Sequence, residues 1–158
     1  MAWVRCCGGS KKKTVFDAFR EECNIYNVRP SGWSGNTFNT ASILDKTGNT
    51  VRIYDTGGSH GNITTVMDVI GIDVTDLTTI TFDITMTMTN GSIYMGVADN
   101  TSDLFSSTNY YINGMTFNNE RRAFTVNVSG LTGVKYLFLS QYCSGFPYSI
   151  TINNITVA

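Results

Sequence analysis

Charge, proline and histidine are all scarce in this chain. Only 15% of its 158 residues are charged, and they sum to a net charge of −1. Such a balance leaves no bulk electrostatic footprint for nucleic acid. With two prolines in all, few positions lose their backbone donor. The single histidine, His60, sits among glycines and reads as a solvated loop residue. A Ser–His–Asp set built on Ser59 or Ser144 has no spacing that brings its members together. No apolar run approaches the ~18 residues of a membrane-spanning helix. The opening residues lack the long apolar segment of a secretory signal. We therefore expect synthesis in a cytoplasm, with neither nucleic acid nor membrane as partner.

The four cysteines are Cys6, Cys7, Cys23 and Cys143. They allow two disulfides in three pairings. Cytoplasmic synthesis favours free thiols over a disulfide, and the missing CxxC pair makes zinc the weakest reading.

What the chain has instead is Thr, Asn, Ser and 15 glycines. Thr79 to Thr89 alternates strictly between polar and apolar residues. Successive strand residues point to opposite faces, so Ile80, Phe82, Ile84, Met86 and Met88 line one face. Thr79, Thr81, Asp83, Thr85, Thr87 and Thr89 line the other. With Asp83 its only charge, this flat row has little of the protection that strands use against association. We expect another subunit to cover it.

Further strands follow at short spacing, with no sustained helix. Residues 38–44 and 50–55 read as a hairpin pair and 63–70 as a buried strand. Asn90-Gly91 reads as a hairpin turn into residues 93–98. Residues 99–119 read as a long insertion. Residues 122–128 form a strand with Phe124, Val126 and Val128 inward. Residues 134–139 are apolar on both faces, as in a central strand. Asn153-Asn154 shifts the parity of the last strand, which suggests a bulge. Residues 14–22 fit a helical turn or an entry strand. The expected fold is all-β: a two-sheet antiparallel β-sandwich of the jelly-roll type. It occupies residues 14–158 as one domain. Residues 1–13 form a short N-terminal arm, read either as a frayed terminus or as a docking peptide whose contact residues are Trp3, Val4 and Arg5.

No catalytic pair stands out. Glu21 with Glu22, Asp73 with Asp76, and Asp99 with Asp103 read as ordinary turn or cap residues. Asp99 to Asp103 offers alternating oxygen ligands, a weak calcium candidate without the glycine and distal glutamate of an EF-hand loop. No other cofactor is suggested. The aromatic residues Trp33, Tyr110, Tyr111, Tyr142, Phe146 and Tyr148 all lie in or beside expected loops. Their rings suit sugar stacking, protein contact or capping of the core ends.

Several segments carry a resemblance. Met1 to Gly9, Glu21 to Trp33, Ile72 to Asp83 and Phe124 to Gly133 resemble small jelly-roll virion proteins of phages and prophages of gut bacteria. Those proteins are similar in turn to galactose-binding and carbohydrate-binding sandwiches. The resemblance implies a non-enzymatic virion component: a fibre, appendage or capsid-surface protein. Its implied partners are other virion proteins and further copies of itself, and it would be released by lysis. The alternative is a module that binds host surface glycan for attachment.

Overall fold

A computed structural model of the protein describes residues 13–26, 43–55, 61–67, 71–102, 104 and 109–158, with residues 26, 61–66 and 144–146 described by backbone alone. The arm residues Trp3, Val4 and Arg5 lie outside them, as do Trp33, His60, Asp103 and the side chain of Phe146.

The open choice at residues 14–22 resolves to a helix, α1 (Val15–Glu22). Thr14 starts it. The Asp17 amide donates to Thr14 Oγ1 at 3.0 Å, and the Thr14 amide donates back to the Asp17 carboxylate at 3.2 Å. This reciprocal box satisfies two donors that would otherwise have no partner, and such caps are worth about 1 kcal/mol. Val15, Phe16, Ala18 and Phe19 are buried, the spacing of one helical face laid on the core.

Eight strands make up the rest of the described fold: β1 (Cys23–Tyr26), β2 (Ile43–Asp45), β3 (Val51–Asp55), β4 (Gly61–Met67), β5 (Ile72–Asp73), β6 (Thr79–Ala98), β7 (Asn109–Asn127) and β8 (Val134–Val157). Every pairing is antiparallel. β6 runs between β7 and β8. The other edge of β8 pairs in turn with β5, β4 and β3, and β1 and β2 flank β4 and β3.

Three strands are far longer than the sequence led us to expect, and two expectations fall with them. Asn90-Gly91 is not a hairpin turn. β6 passes straight through it, with Asn90 in the left-handed region at φ 46°. Pairing register slips around this point against both neighbours. Inward residues change from even numbers (Ile80 to Met88) to odd (Ile93, Met95, Val97). The irregularity bends the strand and resets parity, so the apolar side stays inward as the sheet curls. β7 and β8 turn with β6, and all three contribute to both layers of the sandwich. Ile80, Phe82 and Ile152 from one end share a single core with Met95, Val97 and Leu137 from the other.

The insertion at 99–119 is likewise mostly strand. Asn109 pairs with Gly96 and Phe117 with Met88, so only 99–108 connects β6 to β7. The parity shift in the last strand is a bulge, as read. Asp83 pairs with Asn154 and Ile84 with Ile152, which leaves Asn153 over. Its side-chain amide donates to Thr85 Oγ1 at 2.9 Å.

The threonine row faces outward and, except for the exposed Thr89, is half-buried rather than bare. Thr81 and Thr125 hydroxyls lie 2.9 Å apart across β6 and β7. Asp83 is not the only charge on this face, because Arg121 of β7 reaches it with two hydrogen bonds.

Candidate functional site

The far half of the sheet, where β7, β6 and β8 lie side by side, carries the aromatic residues. Ile93, Met95 and Val97 point inward, so Tyr94 between them points outward. Register sets Tyr111 of β7 directly opposite Tyr94, and Ser140 of β8 opposite it on the other side. The two tyrosine rings stack, with centroids 4.3 Å apart and planes 21° from parallel. Tyr111 remains 46% exposed, whereas Tyr94 is half-buried. Burial, and then the adjoining Tyr111 hydroxyl, push the Tyr94 phenol well above its ordinary range. Tyr94 is therefore a neutral donor at physiological pH.

The surroundings are polar without being charged. Ser92 Oγ donates to Asn113 Oδ1 at 2.8 Å beside the pair. Tyr142, opposite Ser92, is half-buried on the same face. At the other end, Leu104 of the β6–β7 connection is fully buried against Ala98 and Phe138, with Tyr94 and Tyr136 packed around them. Leu104 thus covers one end of this face with apolar packing, and the stacked tyrosines beside it with their margin of hydroxyls and amides make a shelf.

The sequence-selected aromatics divide accordingly. Tyr111 and Tyr142 share this face, but both stand in strands, not loops, because β7 and β8 are so long. Tyr110 points the other way. Its ring lies against Phe124 at 5.4 Å between centroids, at the rim of the core. Tyr148 is a core residue at 1% exposure and has no open ring face for stacking. Its parity with Ile150 and Ile152 was the signal for that. Tyr94 was missed, although alternation with Ile93 and Met95 turns it outward.

The carboxylates are occupied locally. Asp99 forms an ion pair with Lys135. Asn100 Oδ1 accepts from the Ser102 amide at 3.0 Å and hydroxyl at 2.7 Å, which forms a turn, and Asp103 of the calcium candidate lies outside the described residues. Asp73 accepts from the Thr75 amide at 3.0 Å and hydroxyl at 2.7 Å, and these bonds hold its pKa low. Glu21 pairs with Lys13. No three metal-ligating side chains converge among the described residues.

No protein-family model and no curated protein matches the sequence. Solved structures do resemble the fold. The family 11 carbohydrate-binding module of cellulosomal cellulase Lic26A-Cel5E of Clostridium thermocellum superposes with a TM-score of 0.52 at 16% identity, over 86% of each chain. The enzymatically active domain of bacteriophage CBA120 tailspike protein 4 gives a TM-score of 0.55 at 10% identity, over 88% of this chain and 20% of its own. The glycoside hydrolase domain of Endo-D from Streptococcus pneumoniae R6 gives 0.52 at 12% identity, over 86% of this chain and 21% of its own. The chain therefore spans about a fifth of the tailspike and Endo-D chains and nearly all of the binding module. At such identities the likeness is one of fold alone, a β-sandwich.

Proposed function

We propose that the protein is a non-enzymatic glycan-binding β-sandwich whose binding face is the Tyr94–Tyr111 shelf. The observation that carries this reading is the stacked tyrosine pair. An exposed ring backed by a second ring is already fixed in orientation, so a sugar stacking on it costs little further ordering. The uncharged margin of Asn113 and Tyr142 offers hydrogen bonds to sugar hydroxyls, while the buried Ser92 hydroxyl holds the Asn113 side chain. The similar module from Clostridium thermocellum has been solved with a β-1,3-1,4-mixed-linked tetrasaccharide bound, which supports the ligand class.

Glycan-array screening followed by calorimetric titration tests the proposal. Tyr111→Ala should weaken binding about tenfold or more, roughly 1.4 kcal/mol, while the unfolding midpoint stays near wild type. Tyr111→Phe should retain most of the affinity, since the ring does the stacking. An array without a hit among bacterial and plant polysaccharides, or a Tyr111→Ala variant that binds like wild type, overturns it.

The likeness to a phage tailspike domain favours a second reading, in which the same sandwich is a virion component. Residues 1–13, through Trp3, Val4 and Arg5, would dock it on neighbouring subunits, and glycan binding would serve host attachment. Deleting residues 1–10 should then leave a folded domain that no longer enters particles, as read by immunoelectron microscopy. Normal incorporation would remove the arm from the mechanism.

A further inference from the structure

The outer face of the other layer holds a distinct depression of about 210 Å³, lined by Arg52, Tyr54, Asp55, Thr87, Pro147, Tyr148 and Ser149. It is smaller than the ~300–1,000 Å³ of drug-sized sites and suits one sugar ring. Register assembles it. Arg52 and Tyr54 alternate with the buried Val51 and Ile53 on β3, and Tyr54 pairs with Ser149 of β8, which in turn pairs with Thr87 of β6.

Arg52 is the informative residue here. Its guanidinium carbon lies 4.3 Å from the Tyr54 ring centroid, and its Nε donates to Ser149 Oγ at 3.0 Å. One face of the guanidinium and one of its nitrogens are therefore held. Arg20, Arg121 and Arg122 each pair with a carboxylate, at 3.4, 2.6 and 2.6 Å. Arg52 has none within ion-pair distance among the described residues. Asp45 stands opposite it in the β2–β3 register, but that carboxylate accepts from the Thr47 amide at 2.8 Å and hydroxyl at 2.6 Å. Asp55 is buried beneath the depression, 3% exposed.

We infer that this depression is a second ligand site, for a carboxylate-bearing sugar of an acidic polysaccharide. A stacked, pre-oriented guanidinium presents its remaining N–H groups as a fork, the geometry that a carboxylate matches with two bonds. Thr87 and Ser149 provide hydroxyls for the rest of the ring. The site is independent of the tyrosine shelf, which lies on the other layer and shows no cation among the described residues.

The experiment titrates the full chain with tetragalacturonate and with its methyl ester, at low and high salt. Expected is binding of the acid at least tenfold tighter than the ester, weakening with salt as an exposed charge contact should. Arg52→Gln should abolish that preference, and Arg52→Lys, which keeps the charge but not the fork, should restore part of it. Tyr111→Ala should leave acid binding unchanged, which separates this site from the shelf. Equal binding of acid and ester, no binding of the acid, or an Arg52→Gln variant that keeps the preference overturns the inference. Full displacement of the acid by millimolar inorganic phosphate marks a general oxyanion site and overturns the sugar assignment.

Discussion

Arg121 grips Asp83 across the β6–β7 pairing, with Nε at 2.9 Å from one carboxylate oxygen and Nη2 at 2.6 Å from the other. Those hydrogen bonds, against a smaller opposing effect of burial, hold the Asp83 carboxyl below its ordinary value of 3.8. A carboxyl depressed in the folded state contributes stability above its unfolded pKa and loses it as pH falls through the folded value. Arg121→Ala should therefore lower the urea midpoint slightly at pH 7, and the difference should shrink on acidification below about pH 4. The guanidinium is largely solvent-exposed, so a large effect at neutral pH would contradict the geometry.

Gly91 marks the bend of β6. A Cβ there would meet the Tyr142 carbonyl oxygen at 2.6 Å and press on the Met88 sulfur. The methionine can yield, but the carbonyl belongs to the neighbouring strand and cannot. Gly91→Ala should cost about 1–3 kcal/mol. Chemical denaturation measures it, and a loss below roughly 0.5 kcal/mol would mean that the strands are not in this register.

The same bend separates what the sequence made legible from what it did not. Alternation is local, so the inward set from Ile80 to Met88 and the bulge at Asn153 could be read residue by residue. Hairpin chemistry is local too, and it misled. Asn90-Gly91 has the composition of a two-residue turn, and only pairing with strands distant in sequence reveals a bulge inside a continuous strand. The site shared that fate. Tyr94 and Tyr111 each follow from parity, but their stacking depends on register across the slipped β6–β7 ladder, which no short window of sequence encodes. Reading β7 as an insertion also moved Tyr110 and Tyr111 into a loop, where their opposite orientations could not be told apart.

Gln141 is the anomaly of the core. It faces inward on β8 between Leu139 and Cys143, is 1% exposed, and neither polar atom of its side-chain amide has a hydrogen-bond partner among the described residues. Burying such a group typically costs about 1–3 kcal/mol. Methionine has nearly the same length and no such demand. Gln141→Met should therefore stabilise the protein by about 1 kcal/mol or more in urea denaturation. Destabilisation by a similar amount would show that the amide is satisfied, and an ordered internal water would be the partner to look for.

Cys23 and Cys143 test the described sandwich from inside. Both thiols are buried, and both sit next to β4. Cys23 pairs with Met67 and Cys143 with Gly61, the opposite ends of that strand. The span is roughly 20 Å at strand rise, far beyond the ~7 Å limit between the Cα atoms of a disulfide. Burial also pushes the Cys23 thiol up to about 11, so little thiolate exists to react. Native protein treated with iodoacetamide at pH 8 should leave both residues unlabelled, and the same treatment in denaturant should label both. Peptide mass spectrometry reads the two sites separately. A cross-linked peptide joining Cys23 to Cys143 would contradict the β1–β4–β8 order. Rapid native labelling of Cys143 alone would place an opening of the core at the bend, where its Sγ donates to the Thr89 carbonyl at 3.6 Å.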